Sequence, residues 1–117
     1  MNIHNALTID VEDYFQVSAF AKSVNQNDWD NYPLRVEKNT QRLMDMFDEA
    51  QVKATFFVLG WVADRNRALV KEIAQRGHEV ACHGYSHQLI YNQVPEVFRE
   101  ETLRAKSLLE DIIQKPV

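Results

Sequence analysis

Carboxylates and imidazoles, the side chains that bind metal ions and move protons, gather at two places in this sequence. Three carboxylates fall within four positions, at Asp10, Glu12 and Asp13. Two imidazoles lie four residues apart, at His83 and His87. Two histidines and one carboxylate are a common ligand set for catalytic zinc, and this set leaves one position open for water. A further carboxylate beside that water could act as its general base.

Both groups adjoin segments with the pattern of buried strands. Three short apolar runs predict strands, over residues 6–11, 54–59 and 79–83. Such runs are typical of strands buried on both faces of a parallel sheet. The acidic group closes the first run, and the histidine pair begins at the end of the third.

Longer segments with helical spacing separate these runs. Apolar residues three or four positions apart predict helices over residues 34–50, 63–76 and 94–114. Their apolar positions include Val36, Thr40, Leu43, Phe47 and Ala50, then Leu69, Val70, Ile73 and Ala74, and finally Phe98, Ala105, Leu108 and Ile112. Gly77 lies where a C-terminal helix cap is expected. Strands that alternate with helices predict an α/β fold with a parallel sheet.

In parallel α/β sheets, sites form at the carboxyl ends of the strands. The acidic group and the histidine pair are therefore expected to meet at one edge of the sheet. Taken alone, the acidic group has a plainer interpretation as a solvated turn, and the histidine pair as part of a polar surface loop. Their predicted position at the same edge favours a shared metal ion.

Residues 12–33 show no sustained periodicity, and a segment of this length without regular structure is more often functional than idle. Tyr14 and Trp29 lie within it and are candidates to line a sugar-binding face. Aromatic residues in such a segment are as often packed beneath it.

The composition excludes several classes of protein. The 117 residues fit one domain, and a net charge of −4 without a basic cluster argues against nucleic-acid binding. No apolar run reaches the length of a membrane span and no signal-peptide pattern begins the sequence, so we expect a cytoplasmic protein. Cys82, the single cysteine, is expected to pack in the core and point away from His83, and His78 is expected to be structural.

Three stretches resemble the polysaccharide deacetylases with a NodB-homology domain, carbohydrate esterase family 4. They read LTIDVED from Leu7, KATFFV from Lys53 and GHEVACHGYSH from Gly77. The flanking stretches RVEKNT and LGWVA resemble a branch found at exopolysaccharide loci with exosortase-type systems. The resemblance implies a deformed (β/α)7-type barrel and metal-dependent removal of N-acetyl groups from an N-acetylated polysaccharide or sugar.

By this resemblance, His83 and His87 bind the metal, most simply Zn²⁺, and Asp10 is the catalytic base. Val11 replaces the carboxylate that usually follows the base, so Glu12 or Asp13 must complete the ligand set. Glu12 is preferred, since related branches place the ligand two positions after the base.

The resemblance also implies that residues 1–117 are the N-terminal part of such a domain. A complete barrel needs about 200 residues, whereas three βα units are predicted here. We therefore expect exposed strand edges and pairing with a C-terminal half or a second copy. Because no general acid for the leaving amine is identified, we expect zinc binding with poor turnover. Alternatives are a non-catalytic α/β module that binds metal or carbohydrate, and a ureide or amide hydrolase of the same fold.

Overall fold

A single parallel sheet carries the candidate site. The computed structural model describes all 117 residues. Its three strands are β1 (Thr8–Val11), β2 (Thr55–Val58) and β3 (Glu79–Cys82), in the order β1-β2-β3. Both pairs are parallel, which confirms the predicted α/β class. β1 and β3 each pair on one side only, so both outer strands carry a free edge.

The register brings the three strand ends level. Val11 pairs with Val58, and Val58 pairs with Cys82. The residue after each strand therefore lies at the same edge of the sheet. β2 continues into Leu59 and Gly60, which bring no polar side chain to this edge.

Helix α1 (Val36–Glu49) follows the prediction closely. Its buried residues are Val36, Thr40 and Met44. Leu43, which was expected in the apolar stripe, is partly exposed, so the buried face lies one residue further along the helix. The polar residues of α1 face solvent on the opposite side.

The predicted helix over residues 63–76 is two helices, α2 (Gly60–Arg65) and α3 (Arg67–Gln75). The break is at Asn66, whose φ of −135° and ψ of 51° are not helical. The Asn66 side-chain Nδ2 and backbone N–H both donate to the Val62 carbonyl oxygen, at 3.1 and 2.9 Å. An asparagine side chain that competes for a backbone carbonyl in this way is a common cause of helix termination.

Gly60 allows α2 to begin against the loop that follows β3. The N–H groups of Gly60 and Trp61 donate to the carbonyl oxygens of Gly84 and Tyr85, at 2.8 and 3.0 Å. A Cβ atom at position 60 would lie 2.5 Å from Tyr85 Cδ2 and 3.0 Å from Ala105 Cβ. Only glycine fits this approach without displacing its neighbours.

Helix α4 (Pro95–Ile113) packs against α2 and α3 through Ala105, Leu109 and Ile112. Phe98, which was predicted in the same stripe, is exposed. None of the helices is both long and apolar enough to cross a membrane.

The aperiodic segment contains two short 3-10 helices, Ser18–Phe20 and Gln26–Asn31. Phe15, Trp29 and Trp61 form an aromatic cluster that packs this segment onto α2, with ring centroids 5.4 to 6.1 Å apart. The segment is therefore a packed part of the fold.

Asp13 joins the end of β1 to the beginning of α1. The side chain is 2% exposed, and its Oδ2 accepts hydrogen bonds from the N–H groups of Arg35 and Val36 at 2.7 and 3.0 Å. Its Oδ1 accepts a third, from the Tyr14 N–H at 2.9 Å. The first N–H groups of a helix lack intrahelical partners and favour negative charge, so Asp13 acts as a remote cap of α1.

Replacing Asp13 by alanine is expected to lower the free energy of unfolding by about 2 kcal/mol or more, because buried N–H groups lose their acceptor. Asp13→Asn retains one acceptor oxygen and should cost less. Urea denaturation monitored by circular dichroism measures both changes. Asp28→Ala, at an exposed carboxylate, is the control and should change stability by less than about 0.5 kcal/mol. Equal effects at positions 13 and 28 would contradict the capping role.

A pH-dependent contribution to stability is expected from His78. It is buried, its Nδ1 accepts a hydrogen bond from the Ala54 N–H at 3.2 Å, and its ring lies 4.9 Å from that of Phe56. Burial, and next the positive charge of Lys53, hold the pKa of His78 below its usual value of 6.5. The unfolded chain then binds the proton more readily, so this contribution is complete above pH 6.5 and is lost as the pH falls below it.

Unfolding of the wild type and of His78→Asn, compared at pH 8 and pH 5.5, tests this contribution. The asparagine Oδ1 keeps an acceptor for Ala54, so the stability advantage of the wild type should shrink at the lower pH. The comparison between variants is needed because the raised pKa of His83 acts in the opposite direction. His4→Asn, at an exposed position, should show no such difference.

Candidate metal centre

Glu12, His83 and His87 meet at the carboxyl edge of the sheet. Glu12 Oε2 lies 2.7 Å from His87 Nε2 and 3.4 Å from His83 Nε2. One ligand atom from each of the three residues lies within 4.8 Å of the others. All three side chains are half-buried, so the group lies at the carboxyl edge of the sheet and is partly open to solvent.

The strand register explains this meeting. Glu12 directly follows β1 and His83 directly follows β3, and those strands end level with each other. β2 lies between them and contributes Leu59, whose side chain is buried in the core, and then Gly60. Two strands that are not neighbours can thus place polar side chains together above the end of the middle strand.

Asp10 lies beside this group and is more open to solvent. Successive side chains in an extended chain point to opposite faces, so Asp10 and Glu12 share one face while Val11 and Asp13 share the other. Asp10 Oδ2 lies 4.0 Å from His83 Nε2, and its side chain is 58% exposed. The carboxylate is therefore close to the histidines and accessible to water.

The loop that carries His87 is anchored to two helices. The Tyr85 hydroxyl donates to Asp64 on α2 at 2.5 Å, and the Arg104 guanidinium lies 3.7 Å from the Tyr85 ring centroid. The Ser86 hydroxyl lies 2.6 and 2.7 Å from the carboxylate oxygens of Glu101 on α4. Directly after these anchors the backbone is left-handed, with a φ of 57° at His87.

The electrostatics of the group favour its charged form. Burial raises the pKa of Glu12. The hydrogen bond from His83 and the positive charges of both imidazoles together lower this pKa by more than burial raises it, so the net shift is downward. The Glu12 carboxylate, in turn, raises the pKa of His83 against the opposing effect of burial. Carboxylate and imidazolium thus stabilise each other in the absence of an ion.

The residues present fit a divalent ion. Glu12 Oε2 and His83 Nε2, 3.4 Å apart, are buried and have no well-oriented hydrogen-bond partner, and His87 Nε2 lies 2.7 Å from the same carboxylate oxygen. Buried polar atoms without partners are rare, and two that face each other beside a third ligand atom fit a site in which an ion satisfies them. One carboxylate oxygen and two imidazole nitrogens suit zinc and leave a position for water.

The alternative ligand Asp13 is not in this group. Its oxygens accept the N–H groups of Tyr14, Arg35 and Val36, on the opposite face of the chain from Glu12. This corrects the inclusion of Asp13 among the ligands. Cys82 is half-buried and also lies outside the group.

The two aromatic candidates for sugar binding differ. Trp29 is 6% exposed and packs between Phe15 and Trp61, and it also lines a cavity beside His87. Its role in lining a sugar-binding face stays a prediction. Tyr14 remains partly exposed and lines a cavity of about 190 Å³ together with Asp10.

Arg35 also lines this small cavity, a location that the sequence did not predict. Its guanidinium carbon lies 4.5 Å from the centroid of the Tyr14 ring. Arg35 immediately precedes α1, and its own N–H is held by Asp13. The hydrogen bond from the Arg35 N–H to Asp13 places the Arg35 guanidinium at the edge of the site. No local sequence pattern predicts this bond, because the two residues lie on either side of the aperiodic segment.

Comparison with known proteins gives a family match over most of the chain. The profile of the polysaccharide deacetylase family matches residues 22–117. A peptidoglycan-N-acetylglucosamine deacetylase of Bacillus cereus is 30% identical over 78 residues, which are 67% of this chain and 37% of that protein.

Solved structures show the same fold. The Bc1960 peptidoglycan N-acetylglucosamine deacetylase superposes with a TM-score of 0.68 and 26% identity over 92% of this chain and 40% of its own. The pseudoenzyme BA3943 of carbohydrate esterase family 4, from Bacillus anthracis, superposes with a TM-score of 0.71 and 20% identity over 96% of this chain and 32% of its own.

The chain thus spans about a third to two fifths of the length of these three proteins. Three parallel strands are consistent with part of the barrel of these relatives. From the family match over residues 22–117 and the shared fold, this chain belongs to the polysaccharide deacetylase family.

Proposed function

We propose that this chain provides the metal centre and catalytic base of a hydrolase that removes N-acetyl groups from an N-acetylated polysaccharide. The observation that carries the proposal is the convergence of Glu12, His83 and His87 beside Asp10 in a chain of this family. A fold alone does not imply an activity, as the pseudoenzyme with the same fold illustrates. The chemistry of this site is therefore the stronger support.

Glu12, His83 and His87 would hold the ion, for which we propose Zn²⁺. A bound zinc ion would polarise both a water molecule and the acetyl carbonyl group. The anchors of the Tyr85–Ser86 stretch keep the His87 imidazole directed at Glu12.

Asp10 would accept the proton of the attacking water. It shares the face of Glu12 but is not one of the three converging ligands, so its carboxylate remains free to take a proton. Its exposure lets the proton pass on to solvent.

The relatives support a substrate class for this proposal. The curated relative from Bacillus cereus is named for peptidoglycan N-acetylglucosamine, which supports a polymer of N-acetylated sugar here. The resemblance of the flanking stretches to the branch at exopolysaccharide loci supports an exopolysaccharide as that polymer. Tyr14 and Arg35, beside Asp10, would contact the sugar at the reaction centre.

Zinc titration tests the metal centre. The wild type is expected to bind about one zinc ion per chain. His83→Ala and His87→Ala should each weaken zinc affinity by at least about 100-fold, because loss of a direct ligand lowers metal affinity more than loss of an outer-shell hydrogen-bond partner. Isothermal titration calorimetry measures the affinity. His78→Asn changes a histidine at the opposite end of β3 and should bind zinc like the wild type. Retention of tight binding in both alanine variants would contradict the assignment.

Two further variants decide which carboxylate is the ligand. Glu12→Gln should lose zinc affinity to a similar extent as the histidine variants. Asp13→Asn should retain affinity within about tenfold, since Asp13 acts on the fold around the site. A larger loss in Asp13→Asn than in Glu12→Gln would reverse the assignment.

Asp10→Asn separates proton transfer from metal binding. The chain is expected to turn over slowly, so the comparison is made on this low acetate release from N-acetylglucosamine oligomers. Loss of the base should lower that release by about 100-fold or more and leave zinc affinity unchanged. Acetate is measured by an enzyme-coupled assay, and zinc affinity by calorimetry on the same samples. Glu49→Gln is the control for an exposed carboxylate away from the metal group. Unchanged acetate release in Asp10→Asn would show that Asp10 is not the base.

A further inference from the structure

The two halves of the loop that carries His87 are held in different ways. The first half is held by the main chain, because the carbonyl oxygens of Gly84 and Tyr85 accept N–H groups from the beginning of α2 at 2.8 and 3.0 Å. In the second half, residues 86–88 form no hydrogen bond with another main-chain group. The part of the loop that presents the imidazole therefore depends on side chains for its position.

The His87 imidazole is not held by a hydrogen bond at its second nitrogen. Its Nε2 lies 2.7 Å from Glu12 Oε2, whereas its Nδ1 is buried and has no partner in the protein. A metal-binding histidine usually donates its second ring N–H to a carboxylate or a carbonyl oxygen, and this bond fixes the orientation of the ring. Because that bond is absent here, the orientation of the ring must follow from the backbone that carries it.

Glu101 on α4 accepts the hydrogen bond that holds this backbone. Its two carboxylate oxygens lie 2.6 and 2.7 Å from the hydroxyl of Ser86, a residue that is 4% exposed. These distances are typical of a hydroxyl that donates to an ionised acceptor, which is a stronger bond than one between neutral groups. Ser86 directly precedes His87, so the bond acts one residue away from the left-handed φ of 57°.

Glu101 is itself held in place from two sides. It lies in the second turn of α4, and this helix is fixed in the core by Ala105 and Leu109, both of which are buried. Gln93 Nε2 also donates to Glu101 Oε2 at 2.9 Å. A group on a packed helix positions its partner more precisely than a group on a loop. The carboxylate can therefore transmit the position of α4 to the loop.

We propose that Glu101 is a positioning residue of the metal centre, which acts through the Ser86 hydroxyl on the orientation of the His87 imidazole. The proposal rests on the proposed function, because it takes His87 as a metal ligand. It adds to the site a residue that lies outside the ligand group, and it makes the affinity for the ion depend on α4.

Zinc titration of variants on both sides of the bond tests the proposal. Glu101→Ala and Ser86→Ala should each weaken zinc affinity about tenfold in isothermal titration calorimetry, because binding must then also order the imidazole. Glu101→Gln keeps an acceptor oxygen for the Ser86 hydroxyl and should recover most of the affinity. Glu100→Ala removes an exposed carboxylate at the adjacent position of α4 and should bind zinc like the wild type.

A double variant shows whether Glu101 acts through Ser86. If it does, Ser86→Ala combined with Glu101→Ala should lose no more zinc affinity than either single variant, because both changes remove the same bond. Losses that multiply to about 100-fold would mean that the two residues act independently, and this result would overturn the proposal. Ser86→Ala removes a single oxygen atom, so it still tests the bond if Glu101→Ala fails to fold.

The metal-free protein provides a measurement that does not depend on zinc. The NMR order parameter of the His87 amide should be about 0.85 in the wild type and in Glu100→Ala, and should fall toward about 0.6 in Glu101→Ala and Ser86→Ala. Order parameters in β2 should stay unchanged, which separates a loosened loop from a damaged fold.

The two measurements distinguish a failure of this proposal from a failure of the proposed function. If the wild type bound no zinc, the proposed function would be contradicted, and the order parameters would still decide the role of Glu101. An unchanged His87 order parameter in both alanine variants would overturn the positioning role, whatever the zinc affinity of the wild type.

Discussion

The level ends of three parallel strands are the constraint on which the site depends. Because Val11, Val58 and Cys82 are in register, the residues that follow β1 and β3 face each other across the end of β2. A shift of one residue in β1 would exchange its two faces, and Glu12 would turn into the core while Asp13 turned outward. The packing of Val11 in the core therefore selects the residues that reach the site.

This alternation gives two adjacent carboxylates separate tasks. Glu12 joins the imidazoles, whereas Asp13 holds the beginning of α1 and the aperiodic segment against β1. The two tasks are coupled, since the Asp13 N–H is in turn held by the buried amide of Gln16. The chain on either side of Glu12 is thus fixed by Val11 before it and by a hydrogen-bonded turn after it.

Much of this arrangement was predictable from local patterns. The strand positions, the α/β class and the approach of the acidic group to His83 and His87 all follow from periodicity and the rule of carboxyl strand ends. The choice of Glu12 within that group came from the family resemblance. The family match begins at residue 22, so the acidic end of β1 was identified from its position at a strand end and from the resemblance carried by the stretch LTIDVED. What local patterns miss depends on contacts between residues far apart in the sequence. The break at Asn66, the burial of Trp29 and the bond between Ser86 and Glu101 belong to this class.

The left-handed backbone of His87 has a thermodynamic meaning. A residue other than glycine rarely adopts this conformation unless its surroundings hold it there, and the cost is about 1–3 kcal/mol. Here the hydrogen bonds of Tyr85 to α2 and of Ser86 to α4 offset that cost, and they form without an ion. The imidazole is thus preorganised, and little conformational entropy would remain to be lost if it coordinated an ion. Helices some distance from the site would in this way influence how tightly an ion is held there.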